Sequence, residues 1–136
     1  MFRWGKLVAS TTPVIAVIDD SPSVKSLFEL GAKSFDVDLR VFNTADTSME
    51  YLKQNKPALL FMNIKMPGKD GLTFLKELRD LPLHKDTSVV IISSKDYAQD
   101  RTVAEQLGAL DFITKPMPIQ VITDAIQKYL QPAAPQ

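Results

Sequence analysis

The sequence predicts an α/β domain of five strand-helix units, (βα)5, wound in both directions around a parallel sheet. Three observations carry this expectation. Short apolar runs recur at Val14 to Ile18, Ala58 to Met62 and Ser88 to Ile92. Between them lie segments whose apolar residues return every three to four positions, and cap or turn residues mark the junctions. A run unrelieved by polar residues belongs to a strand covered on both faces. Strands that alternate with helices pair in parallel through right-handed crossovers.

In order, Val14 to Ile18 is the first strand, and Asp19-Asp20-Ser21-Pro22 supplies caps and a first-turn proline for a helix carrying Val24, Leu27, Phe28 and Ala32 on one stripe. Val37 to Phe42 alternates Val37, Leu39 and Val41 against Asp38 and Arg40, as a strand does. Asn43 to Asp46 offers caps for a helix with Met49, Tyr51 and Leu52 as apolar members, and Pro57 stops it. Ala58 to Met62 is the third strand. Met66-Pro67-Gly68-Lys69-Asp70-Gly71 forms a loop before a helix carrying Leu72, Phe74, Leu75 and Leu78. Ser88 to Ile92 is a strand, Tyr97 to Leu107 a helix closed by Gly108, Leu110 to Thr114 a strand, and Ile119 to Leu130 the last helix. The domain is expected over residues 13–131, behind an arm at 1–12 and ahead of a short polar tail at 132–136 expected to be disordered. The arm's Phe2, Trp4, Leu7 and Val8 suit either a partner or the domain's own surface.

Composition narrows function. The 136 residues make one ordinary domain, 45% apolar and 24% charged, with no apolar run long enough to cross a bilayer. Sixteen basic and sixteen acidic residues leave no net charge to attract nucleic acid or an anionic membrane. Cysteine is absent, so thiol catalysis and thiolate metal sites are excluded, and the lone His84 cannot build a multi-histidine one. Without a secretory signature in Met1 to Ser10, the cytoplasm is the expected compartment.

In doubly wound sheets the site lies beyond the carboxyl ends of the strands. Those ends carry Asp19 and Asp20, then Asn63, then Ser93, then Lys115 before Pro116. Singly, each has an ordinary structural explanation: an acidic pair caps a helix, Ser93-Ser94 makes a turn, Lys115-Pro116 sits in a loop and Phe112 belongs to a core. Together they follow a recognisable order. VIAVIDDSPSV, MNIKMPGKDGL, VVIISSK and GALDFITKPMP resemble the receiver domain of bacterial response regulators, and the likeness to the single-domain chemotaxis type runs from Pro13 to Leu130.

The resemblance implies a flavodoxin-like fold with strand order 2-1-3-4-5 and a role in two-component signal transduction. In that family an aspartate after the third strand accepts a phosphoryl group, an acidic pair holds Mg²⁺, and a hydroxyl and a lysine grip the phosphoryl oxygens. Asp19 and Asp20 match the metal pair, Ser93 the hydroxyl, Lys115 the lysine and Phe112 the aromatic switch. Asn63 stands at the phosphoacceptor position, and Met66-Pro67 and Asp70-Gly71 fix that register. An amide carries no charge and delocalises its nitrogen lone pair, so no acyl phosphate is expected at Asn63 and no catalytic residue remains. With the acceptor neutral, Mg²⁺ is expected to bind weakly at best, and no cofactor is expected.

Charge counting sharpens this. Three carboxylates and a lysine total minus two, which a divalent ion cancels, whereas the set with Asn63 totals minus one. Lys65 and Lys95 lie close enough in sequence that one of their ammonium groups is a candidate for the metal's place between Asp19 and Asp20. Ser93 and Phe112 retain the switch types, so the element can be biased by a partner instead of a phosphoryl group. The resemblance places the output face on the fourth helix, fifth strand and fifth helix, here Tyr97, Arg101, Glu105, Phe112, Gln120 and Lys128. It suits a histidine kinase, a downstream signalling protein or a second copy of the chain.

Two alternatives stay open. One is an ordinary phosphorylated regulator with an aspartate-to-asparagine substitution introduced at position 63, which the retained Asp19, Asp20, Ser93 and Lys115 favour. The other is a metal-dependent phosphohydrolase with Asp19 as nucleophile, against which stand the Asp19-Asp20-Ser21 spacing and the lack of a cap domain.

Overall fold

The computed structural model describes residues 12–130, and the expectations for the arm and the tail fall outside them, apart from Thr12. Five strands, β1 (Val14–Ile18), β2 (Asp38–Phe42), β3 (Leu59–Asn63), β4 (Val89–Ser93) and β5 (Asp111–Thr114), alternate with five helices. These are α1 (Pro22–Ala32), α2 (Ala45–Leu52), α3 (Gly71–Arg79), α4 (Ala98–Gln106) and α5 (Ile119–Tyr129). The strands form one sheet in the order β2-β1-β3-β4-β5, parallel at every pairing. This is the flavodoxin-like arrangement.

Successive residues of a strand point to opposite faces, and the apolar runs therefore divide between two cores. Ile15, Val17, Leu59, Phe61, Val90 and Ile92 pack on one side with Phe28, Ile122 and Ile126 of α1 and α5. Ala16, Ile18, Leu60, Met62, Val89 and Ile91 pack on the other with Leu52, Leu75 and Ala104 of α2, α3 and α4. The Phe28 and Phe61 rings meet edge-on at 4.7 Å, the geometry aromatic quadrupoles favour.

The helices begin where their caps allow. Ser21 accepts the Val24 N–H ahead of Pro22, Thr44 and Thr47 form a reciprocal capping box, and Asp70 accepts from the Thr73 N–H at 2.9 Å. Each such cap stabilises by about 1 kcal/mol. Gly108 closes α4 at φ 81°, as expected of its glycine.

Two strands start and end one residue later than their apolar runs suggest. Asn63 pairs with Ile92 and Ser93 with Thr114, so these polar residues are the last rungs of the ladder and not the first loop positions. Tyr97 likewise lies just outside α4, at its N-cap position without a side-chain cap. A 3-10 turn, Pro82–His84, was not legible in the sequence. Its fully buried His84 approaches the Leu52 carbonyl with Nε2 at 2.6 Å and the Thr87 hydroxyl with Nδ1 at 2.8 Å. A carbonyl can only accept, so Nε2 carries a proton and donates it to Leu52.

Candidate functional site

The parallel sheet brings the carboxyl ends of β1, β3, β4 and β5 to one rim, where Asp19, Asn63, Ser93 and Lys115 lie. Asp19 is 1% exposed. Its Oδ1 accepts the Ser21 N–H at 2.9 Å, and its Oδ2 lies 2.8 Å from the Lys115 ammonium. The ammonium meets that oxygen off the hydrogen-bonding direction, so Oδ2 is compensated in charge but accepts no aligned hydrogen bond. Lys115 reaches it from the end of β5, two strands beyond β1's neighbour β3.

Asn63, 5% exposed, donates from Nδ2 to its own loop, at 2.7 Å from the Lys65 carbonyl. Ser93, 4% exposed, accepts the Lys95 N–H at 3.0 Å. Asp20 is exposed and makes no ion pair among the described residues. The same holds for Lys65 and Lys95. Neither lysine is brought to Asp19; their side chains leave the rim from loop positions that face water, and the ammonium at Asp19 comes from Lys115.

Phe112, which the resemblance implies as the aromatic switch, is half-buried in β5, an edge strand of the sheet. The Arg101 guanidinium stacks 4.6 Å from its ring centroid and is tied by Nε to the Asp96 carboxylate. That hydrogen bond holds the Asp96 carboxyl below its usual range and raises Arg101. The Phe112 N–H donates to Asp111 Oδ1 at 2.8 Å, and the Tyr129 hydroxyl to Oδ2 of the same carboxylate at 3.1 Å. A groove of about 320 Å³ between α4 and β5 is lined by Arg101, Thr102, Glu105, Leu110 and Phe112 among others. Tyr97, at the head of α4, is 55% exposed. Gln120 and Lys128 lie exposed on α5, Gln120 bonded to Asp124. Replacing Arg101 with alanine is expected to free the Phe112 ring with little loss of stability. Aromatic NMR should show faster ring motion, and Asp96→Ala should reproduce it; an unchanged ring in both variants would show that the stack does not hold it.

The family model of the response regulator receiver domain matches residues 15–127. The chain belongs to that family. Among curated proteins, the receiver is similar to the cyclic di-GMP phosphodiesterase response regulator RpfG of Xanthomonas campestris pv. campestris, 29% identical over 105 residues that cover 76% of this chain and 28% of that protein. It is also similar to the transcriptional regulatory protein BaeR of Escherichia coli O6:H1, 26% identical over 129 residues covering 95% of this chain and 52% of that one. The chain thus spans about half or less of the length of these relatives. In structure it is similar to the Mn²⁺-bound form of response regulator Rcp1, with TM-score 0.81 at 20% identity, covering 91% of this chain and 99% of that chain. It also resembles the chemotaxis response regulator CheY4 of Vibrio cholerae, with TM-score 0.80 at 16% identity, covering 88% of this chain and all of that one. At these identities the structural likenesses establish the receiver fold.

The receiver domain of sensor histidine kinase PA1611 from Pseudomonas aeruginosa, of the same fold, holds a magnesium ion in its active-site cleft. The rim residues of this chain do not fit such an ion as they are arranged. Among the described residues no three carboxylate, imidazole or thiol groups gather around one point. Among the described residues, the Asp19 carboxylate oxygen that accepts no hydrogen bond already faces an ammonium, and the Asn63 amide N–H is engaged by the Lys65 carbonyl.

Sequence reasoning missed two contributors. Gly71 packs against the backbone of Asn63 itself, and the signal was a glycine, a poor helix former, as the first residue of a helix. Asp96, which anchors Arg101, carried no signal beyond its place in a polar loop.

Proposed function

We propose that this receiver domain signals through protein contacts independently of phosphorylation, Asn63 standing where the acceptor aspartate would be. The observation that carries the reading is the buried, neutral Asn63 side chain, engaged through its amide with the Lys65 carbonyl. An amide oxygen is too weak a nucleophile to take a phosphoryl group from a kinase or an acyl phosphate. The retained Ser93 and Phe112 then form a two-state element biased by a partner on α4, β5 and α5. The exposed Tyr97, Arg101, Glu105, Gln120 and Lys128, beside the groove at Phe112, suit a histidine kinase or a downstream protein in the cytoplasm. A second copy of the chain would use the same face.

The test is incubation with acetyl phosphate, read by intact mass. The chain is expected to stay unmodified, while Asn63→Asp gains one phosphoryl mass. Modification of the unaltered chain at Asp19 or Asp20 would refute the proposal. The presence of Asp19, Ser93 and Lys115 on the rim favours a second reading, an ordinary phosphorylated regulator whose aspartate was replaced at 63; an aspartate codon in the native gene would decide for it.

A further inference from the structure

We infer that Asn63 and Lys115 together replace a divalent cation at the rim, so that the site is balanced and shaped without metal. The inference rests on the reading that position 63 is not phosphorylated. It begins with the 2.7 Å contact between Asn63 Nδ2 and the Lys65 carbonyl oxygen. Aspartate has the same shape as asparagine. In this rotamer it would set a carboxylate oxygen against that carbonyl, two acceptors facing each other with no hydrogen between them. Such a pair is stable when a cation lies between, and a hard divalent ion takes ligands of this kind. The amide achieves the bridge with its own N–H, clamping the end of β3 to the loop that follows it.

Lys115 supplies the other half. Its ammonium lies 2.8 Å from the Asp19 oxygen that no aligned hydrogen bond uses, in a position where an uncompensated carboxylate would be costly. Asp19 at minus one, Lys115 at plus one and neutral Asn63 sum to zero, while Asp20 stands in water that screens it. With an aspartate at 63 the same buried set would carry minus one. To enter, Mg²⁺ would have to drive the ammonium off a buried carboxylate and invert the amide, breaking its bond to Lys65. Lys65 and Lys95 have no part in this balance.

The test uses the full chain, stripped with a chelator and melted with and without saturating Mg²⁺, beside Asn63→Asp and Lys115→Met. The unaltered chain should melt at the same temperature in both conditions. Asn63→Asp should melt lower in chelator and recover by about 5 °C or more in Mg²⁺, as expected of an ion that binds only the folded state. Lys115→Met, which leaves the Asp19 oxygen to a cation, should gain a Mg²⁺ response of its own, and it decides the matter if Asn63→Asp fails to fold. A Mg²⁺ shift in the unaltered chain as large as in Asn63→Asp would overturn the inference, as would the absence of any response in both variants. The acetyl phosphate assay separates the two proposals. A chain that binds Mg²⁺ yet stays unmodified sinks only the inference, and one that is modified sinks the proposed function and, with it, the premise of the inference.

Discussion

Gly71→Ala is expected to cost about 3 kcal/mol of stability and to displace the end of β3. The reason is close approach and not backbone conformation. A Cβ at Gly71 would lie 2.2 Å from the Asn63 carbonyl oxygen, 3.0 Å from its carbonyl carbon and 3.1 Å from Ile64 Cα. All three are backbone atoms at the carboxyl end of the central strand β3, which cannot swing aside as a flexible side chain would. Relief requires the first turn of α3 to retreat, which stretches the Gly71 N–H bond to the Ile64 carbonyl, 2.6 Å in the native chain. Overpacking of this kind costs roughly 1–3 kcal/mol, and the weakened hydrogen bond adds about 1 kcal/mol. A melt should fall by about 10 °C, with amide shifts concentrated at residues 63 to 66. A variant that melts with the native chain would mean that the helix start moves freely and does not position Asn63.

Arg79→Ala should be of similar size at the opposite end of the sheet. From the last turn of α3, the guanidinium donates to the carbonyls of Leu107 at 2.8 Å, His84 at 2.8 Å and Thr87 at 2.9 Å, with a longer contact to Gly108. It thereby ties α3 to the end of α4 and to the turn that enters β4. Burial holds its pKa below the usual guanidinium value, yet the group stays charged, as arginine does. Removing it leaves three carbonyls without their donor, for a loss of about 3 kcal/mol in chemical denaturation. Arg79→Lys should recover less than half of this, because one ammonium cannot meet three carbonyls held by a planar fork. Full recovery by lysine would show that charge, and not the fork, holds these elements together.

The parallel sheet was legible because β1, β3 and β4 are covered on both faces and write that burial directly into sequence as unbroken apolar runs. Asn63 and Ser93 were read one position outside their strands, since a polar side chain conceals a backbone that still pairs with Ile92 and Thr114. The membership of the rim was equally legible, because each residue follows a recognisable strand. Which groups meet within it was not. Lys65 and Lys95 lie near the rim in sequence but turn to solvent, while Lys115 reaches Asp19 across intervening strands, a contact fixed by strand order and side-chain length. The His84 contact with Leu52 escaped for the same reason: it joins elements that no local pattern relates.

The ion pair between Asp19 and Lys115 also bears on how the chain acquires its structure. Its partners stand at the ends of the first and last strands, roughly a hundred residues apart, which makes it one of the least local contacts in the molecule. During synthesis β1 exists long before β5, so the Asp19 carboxylate must wait in water until the chain as far as Lys115 has emerged. The rim is therefore a late product of folding, and fragments that end before Lys115 lack the charge that lets Asp19 be buried.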